Sequence, residues 1–158
     1  MRAYQIFAAL PSEHAVSVLQ AVRSAAPAAF QQALAATAAA LHARPVFLAR
    51  KPAPEQCQAI RRTLARVASN ALAEELLAVY FIECKKELLR EWLDAVGVEH
   101  EDGVLKTDRP PQPPVKKLRA AVQKFRTSEA SADRELLLRT FAAQAAIEWP
   151  ELEALLAQ

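Results

Sequence analysis

Apolar side chains recur every three or four residues along most of the chain, which is the spacing of one face of an α-helix. Prolines and capping residues divide this pattern into segments of helical length. The pattern predicts helices over 2–10, 12–24, 27–41, 55–68, 71–96 and 114–126, and two more after Ser131 and Pro150. We therefore expect an all-α fold, a compact multi-helix bundle of about seven or eight helices that forms a single domain over residues 1–158.

The predicted helix over residues 71–96 has the broadest apolar face of the set. Its apolar residues are Leu72, Leu76, Leu77, Tyr80, Phe81, Cys84, Leu88, Trp92 and Val96. Because a wide apolar stripe contacts several neighbours, we expect this helix to be the central one. Gly97 follows its last apolar residue, at the position where a left-handed residue commonly ends a helix.

Two segments in the second half of the chain lack the helical spacing. Residues 98–107 contain the pair Asp102-Gly103, which is a hairpin turn signal, so at most one small β-hairpin is expected there. Residues 109–114 contain four prolines and predict a stiff, extended linker.

Glycine is nearly absent from the sequence. The chain has two glycines and ten prolines among its 158 residues, and it is rich in alanine. Alanine is the strongest helix former, whereas sheets need glycine in their turns and bulges, so this composition favours helices. A Walker A loop and a dinucleotide-binding loop each need several closely spaced glycines. The composition therefore excludes both phosphate-binding loops, and no cofactor is expected.

The net charge of +2 hides alternating basic and acidic blocks. The basic blocks contain the predicted helices 55–68 and 114–126. Their candidate polyanion contacts are Arg61, Arg62, Arg66, Lys116, Lys117, Arg119, Lys124 and Arg126. Two such helices lying side by side would follow a phosphate backbone. The simpler interpretation pairs them with acidic neighbours inside one bundle, and aromatic partners for base stacking are missing because Phe125 belongs to the apolar stripe of its helix.

The sequence contains none of the ligand spacings that are typical of metal sites, namely Cys-x-x-Cys, His-x-x-x-His and Glu-x-x-His. The sharpest polar cluster is Glu-His-Glu-Asp at 99–102, which suggests a cation site or a general acid–base pair. Because successive side chains of a strand point to opposite faces, a solvated hairpin tip is the favoured interpretation. A polar pocket around Glu83, Arg90 and His100 would instead mark a small-ligand-binding helical bundle.

Cys57 and Cys84 fall on apolar helix faces and are expected to be buried free thiols. Unpaired thiols are typical of a reducing, cytoplasmic setting. The alanine-rich stretch 24–43 is interrupted by a proline and two glutamines, so no membrane association is expected.

These exclusions favour a non-catalytic helical protein–protein interaction module, with self-association as one form of partnership. Residues 44–54 are expected to form a connector whose apolar centre, 46–48, packs as an extended strap. This strap and the Pro-rich segment 109–114 are the candidate contact surfaces. The alternatives are a nucleic-acid-associated accessory protein, which uses the two basic helices, and the small-ligand-binding bundle.

Overall fold

Helices form most of the chain, as the apolar spacing predicts, with 74% of residues in helix and 3% in strand. The computed structural model describes residues 1–128 and 131–157, and this part of the chain contains ten α-helices, more than the seven or eight expected. They are α1 (Ala3–Ala9), α2 (Ser12–Ala25), α3 (Pro27–Ala40), α4 (Pro45–Ala49), α5 (Ala53–Leu64), α6 (Asn70–Val79), α7 (Lys86–Val96), α8 (Val115–Ser128), α9 (Ala132–Ala143) and α10 (Pro150–Leu156). A 3₁₀ turn at Val67–Ser69 and a π turn at Tyr80–Cys84 flank α6.

The chain divides into two compact units. The N-terminal unit covers Arg2–Cys84, and the C-terminal unit begins at Lys85 and includes Met1. The α-amino group of Met1 lies 3.0 Å from the carboxylate of Glu153, which explains why it belongs with the second unit. The single domain expected over residues 1–158 stays a prediction.

α5 has several neighbours in the N-terminal unit, where it packs on α1, α2, α3 and α6, and α2 packs on α3, α5 and the π turn. α1 packs on α5 and α6, and α4 packs on α3. The core consists of fully buried apolar side chains, among them Phe7, Leu19, Phe30, Ile60, Leu64, Leu76, Leu77 and Phe81. These positions follow the helical spacing seen in the sequence.

The single long helix expected over 71–96 is wrong. The chain forms α6, the π turn and α7, with a break at Lys85, whose φ is −132° and ψ is 37°. The buried residues of α6 recur with helical spacing, and this spacing continues to Tyr80 and Phe81. If it continued through α7, Leu88 would be the next buried leucine, but the first buried residue of α7 is Leu89. An ideal α-helix cannot shift its buried face by one residue, and the wider π turn supplies that shift.

An aromatic cluster forms the core of the C-terminal unit. The ring of Trp92 lies 5.3 Å from that of Phe125 and 5.9 Å from that of Phe141. Trp149 lies 5.1 Å from Phe141, and its Nε1–H donates to the carbonyl of Pro110 at 2.9 Å. The cluster therefore connects α7, α8 and α9, and it also fixes the Pro-rich segment.

The small hairpin expected near 98–107 is confirmed. Its strands β1 (His100–Glu101) and β2 (Val104–Leu105) are antiparallel, with Glu101 opposite Val104. Gly97 ends α7 in the left-handed region, with φ of 74°, as its position in the sequence predicts.

The extended strap expected over 46–48 is wrong, because these residues belong to the short helix α4. Pro45 occupies the first turn, where its fixed φ already matches a helix and its missing N–H costs nothing. Leu48 turns into the core and is 4% exposed. Three consecutive apolar residues fit a buried strand and a helix equally well, and Pro45 favours the helix.

Candidate protein-interaction surface

Large apolar side chains are exposed where α3 turns into α4. The exposed fractions are 47% for Leu41, 45% for Val46 and 58% for Phe47. These three residues lie within seven positions of the chain, and they are called the α4 patch below. Scattered exposed apolar residues are ordinary on protein surfaces, and three of this size within seven positions make this segment a candidate contact surface.

The backbone that carries the α4 patch is held in place by Gln56. This side chain is 5% exposed, and its Nε2 lies 3.0 Å from each of the carbonyl oxygens of Leu48, Ala49 and Lys51, which share its two N–H donors. Carbonyls at the end of a helix lack part of their intrahelical hydrogen bonding, so the amide of Gln56 adds donors there, beside the N–H of Lys51, which donates to Leu48 at 3.1 Å. Phe47 is therefore presented by a fixed turn.

Basic residues surround the α4 patch. Arg44 precedes α4 and Arg50 and Lys51 follow it, and all three are exposed. Residues 14–54 contain no aspartate or glutamate. None of the three cations makes an ion pair with any residue that the structure describes. The patch therefore combines an apolar centre with a basic rim.

A shallow hollow lies beside this rim. It is lined by Lys51, Pro54, Glu55, Gln58, Ala59 and Arg62. Glu55 is the nearest acid along the chain, and it lines this hollow together with Lys51 and Arg62. The hollow extends the polar part of the surface onto α5.

The three arginines of the first basic set, Arg61, Arg62 and Arg66, lie in three different environments. Arg61 is half-buried, and its guanidinium donates to the carbonyl of Leu10 at 2.7 Å, which ties α5 to the end of α1. Arg62 is exposed on the hollow. The helix predicted over 55–68 ends at Leu64, so Arg66 lies beyond it in extended backbone.

The second basic set lies on α8, in the C-terminal unit. Arg126 donates to the carboxylate of Glu135 at 2.9 and 3.2 Å. The Nζ of Lys117 lies 2.5 Å from the point that a Cβ at Gly97 would occupy, so this cation sits at the C-terminal end of α7. The other three members, Lys116, Arg119 and Lys124, are exposed and have no ion pair within the described residues.

Glu135 is the acid that meets α8. Partial burial is the largest single influence on its pKa and acts to raise it. Hydrogen bonds from Arg126 and Arg139, together with the charges of both guanidinium groups, outweigh burial and hold the pKa of Glu135 below its ordinary value. This carboxylate therefore stabilises the fold in its ionised form.

The candidate polar pocket residues are distributed over both units. Glu83 is exposed on the π turn of the N-terminal unit. Arg90, in the C-terminal unit, contacts the carboxylates of Glu87 at 3.2 Å and Asp102 at 3.7 Å. A pocket formed by Glu83, Arg90 and His100 stays a prediction.

His100 connects the hairpin to α7. Its Nε2 lies 2.8 Å from the carboxylate of Asp94, and its Nδ1 accepts from the backbone N–H of Gly103 at 3.1 Å. Because Nδ1 is an acceptor, Nε2 carries the proton and donates it to Asp94. At the hairpin tip, the hydrogen bond from Lys86 lowers the pKa of Asp102. Both histidine nitrogens are thus used within the fold.

The two thiols differ in environment. Cys57 is fully buried, and this burial raises its pKa, although the charge of Arg23 acts in the opposite direction. Cys84, which was expected to be buried, is only half-buried and lies in the π turn. The two cysteines are not joined in a disulfide bond.

Among residues 1–128 and 131–157, no group of three or more histidine, cysteine, aspartate or glutamate side chains could hold a metal ion. Within the same residues, no helix combines the length and the apolar character needed to cross a bilayer. Comparison of the chain with protein-family models, with curated proteins and with solved structures finds no match.

Sequence reasoning missed two residues that shape these surfaces. Gln56 lies in phase with Ile60 and Thr63 on the buried face of α5, and a glutamine in that stripe was an available signal. Arg134 is buried and pairs with Glu91 across 43 residues of sequence. No local pattern could have indicated that pair.

Proposed function

We propose that this chain is a non-catalytic helical protein–protein interaction module that contacts its partner through the α4 patch. The observation that carries the proposal is the 58% exposure of Phe47 on a turn whose backbone is capped by Gln56. An aromatic side chain at the centre of an interface is a common source of binding energy. The absence of a disulfide bond between Cys57 and Cys84 supports a cytoplasmic setting for such a module.

Burying Phe47 in an interface would contribute measurably to the binding free energy. Burying a fully exposed phenylalanine side chain is worth about 1.5–3 kcal/mol, and because Phe47 is 58% exposed about 1–1.7 kcal/mol of this is still available, which corresponds to about ten-fold in affinity. A contact residue on a fixed backbone loses little conformational entropy on binding, so more of this energy appears as affinity.

The Pro-rich segment 109–114 is a weaker candidate for the contact surface. Pro110 and Pro113 are buried, and Trp149 holds the carbonyl of Pro110. Gln112 accepts a hydrogen bond from the backbone N–H of Glu151 at 3.2 Å. Much of the segment is therefore already occupied within its own unit, which favours the α4 patch.

Peptide selection tests the proposal. Peptides selected from a displayed random library against the wild-type chain should bind the Val46→Ser/Phe47→Ser variant at least about ten-fold more weakly. Val67→Ser is the matched control, because Val67 is 70% exposed in the same unit and lies outside the patch. The proposal fails if the selected peptides bind the double variant and the wild type equally, or if no peptide is enriched and sedimentation shows a strict monomer.

A nucleic-acid-associated accessory protein is the second candidate function. The observation that favours it is the row of exposed cations on α8, namely Lys116, Arg119 and Lys124. Each phosphate contact contributes about −0.9 to the slope of log affinity against log salt. Reversing the three charges to glutamate should reduce that slope by about 2–3 in an anisotropy titration with duplex DNA. Lys106→Glu is the control, and wild-type binding that does not change with salt excludes this function.

A further inference from the structure

Resting on the proposed function, we infer that the partner of the α4 patch is an acidic amphipathic helix. The inference follows from the charge around the patch, the size of its apolar centre and the hydrogen bonds that its backbone has already made. Each of these restricts the class of partner.

Charge complementarity is the first restriction. Arg44, Arg50 and Lys51 are exposed around the patch, and none of them is neutralised by a carboxylate among the described residues. A basic partner would bring like charges together at this rim, which slows association and lowers affinity. A partner with carboxylates at its rim forms charge-assisted contacts instead.

Spacing is the second restriction. Arg44 stands before α4 and Arg50 after it, and the five residues between them span about 7–8 Å of helix axis. Leucines at i and i+4 of a partner helix are about 6 Å apart, so one such pair covers Val46 and Phe47. Glutamates one turn to either side then reach the basic rim.

The backbone of α4 is the third restriction. The carbonyls of Leu48, Ala49 and Lys51 are occupied by Gln56, so they are not available to an added strand. The surface consists of side chains on helical backbone. A partner must therefore satisfy its own main-chain groups, as a helix does, and recognition follows the helix-in-groove mode.

Single-stranded nucleic acid and a lipid surface fit the patch less well. Bases stack on aromatic faces, and Phe47 is the only aromatic member of the patch, because Leu41 and Val46 are aliphatic. Interfacial membrane binding grows with buried apolar area, and α4 is a helix of only five residues. Both ligands serve as competing probes in the test.

The test compares two designed peptides on the full chain. One is an amphipathic helix of about 18 residues with leucines on one face and glutamates on the other, and the second has lysine at every glutamate. The glutamate peptide should bind at least about ten-fold more tightly and should weaken as salt rises. Phe47→Ser should weaken its binding by about ten-fold or more, whereas Val67→Ser should not change it. Arg44→Glu/Arg50→Glu/Lys51→Glu should reverse the preference.

The outcomes separate the partner from the function. Equal binding of both peptides that still depends on Phe47 overturns the acidic partner and leaves the interaction module standing. Failure of both peptides to bind overturns the acidic helix, and peptide selection then decides the module separately. Binding that is insensitive to Phe47→Ser counts against both. Tighter, Phe47-dependent binding of oligothymidine or of phosphatidylserine vesicles assigns the patch to nucleic acid or to membrane and overturns the inference.

Discussion

The ion pair between Glu91 and Arg134 gives the sharpest test of how the C-terminal unit is held together. The side chain of Arg134 is 8% exposed, and its two terminal nitrogens donate to the Glu91 carboxylate at 2.8 and 2.9 Å. The guanidinium also donates to the carbonyl of Phe125 at 3.3 Å and lies 4.6 Å from the centre of that ring. Glu91→Ala removes the carboxylate that both terminal nitrogens of this buried guanidinium contact.

The expected cost of Glu91→Ala lies between two limits. Breaking a fully buried pair costs about 3–5 kcal/mol, and breaking an exposed pair costs about 0–1 kcal/mol. Glu91 is 47% exposed, so water reaches one side of the pair and screens it. We expect a loss of about 1.5–3 kcal/mol, the range for hydrogen bonds to charged groups. The control Glu87→Ala should cost less than about 0.5 kcal/mol, because Glu87 is 87% exposed and is one turn away on α7.

Tryptophan fluorescence reports on this unit alone, because both tryptophans, Trp92 and Trp149, belong to it. With a urea m-value of about 1–1.5 kcal/mol/M for a unit of this size, the unfolding midpoint of Glu91→Ala should fall by about 1–3 M. The Glu87→Ala midpoint should move by less than about 0.5 M. Equal midpoints for the two variants would refute the reasoning, since only Glu91 pairs with a buried guanidinium.

Three further predictions concern other parts of the chain. Gln56→Ala should destabilise the N-terminal unit by about 1–3 kcal/mol in urea unfolding followed by circular dichroism, because the carbonyls of Ala49 and Lys51 lose the donor that Gln56 supplies, whereas the exposed Gln31→Ala should cost less than about 0.5 kcal/mol. Because the pKa of Glu135 is lowered, the stability that its ionised carboxylate contributes is fully present above about pH 4.5 and is lost as pH falls further. Glu135→Gln should therefore be less stable than the wild type at pH 7 by under about 1 kcal/mol, and it should lose less stability on acidification. Parallel pH profiles of the two proteins would contradict this. Iodoacetamide should alkylate Cys84 in the folded chain and Cys57 only after unfolding, because Cys57 is buried and burial raises its pKa. Mass spectrometry of native and urea-treated samples measures this, and modification of Cys57 in the native sample would contradict it.

Helical spacing predicted the fold class because the buried face of each helix is a local property of the sequence. The register change between α6 and α7 was missed for an equally local reason. Leu88 and Leu89 are adjacent, and either one could continue an apolar stripe. The structure selects Leu89, because the aromatic cluster around Trp92 sets the phase of α7 independently of α6. Such a choice depends on tertiary packing and cannot be made from the spacing alone.

The surfaces were harder to predict than the helices. Arg61 and Arg126 belong to the two basic sets by sequence, yet each is used within the fold. The carbonyl that Arg61 contacts is 51 residues away along the chain, so the role of this arginine is invisible to any local pattern. Charge patterning identifies which segments are basic, whereas long-range contacts decide which cations remain at the surface.

The exposure of Phe47 follows from helical geometry once Leu48 is buried. Successive residues of an α-helix are rotated by about 100°, so three consecutive side chains cover about 200° of its circumference. α4 packs on α3, and Leu48 supplies that contact, which turns Val46 and Phe47 toward the solvent. A serine at position 47 would satisfy the same backbone equally well. The phenylalanine is therefore not required by the fold of α4, and for this reason we assign it to an external contact.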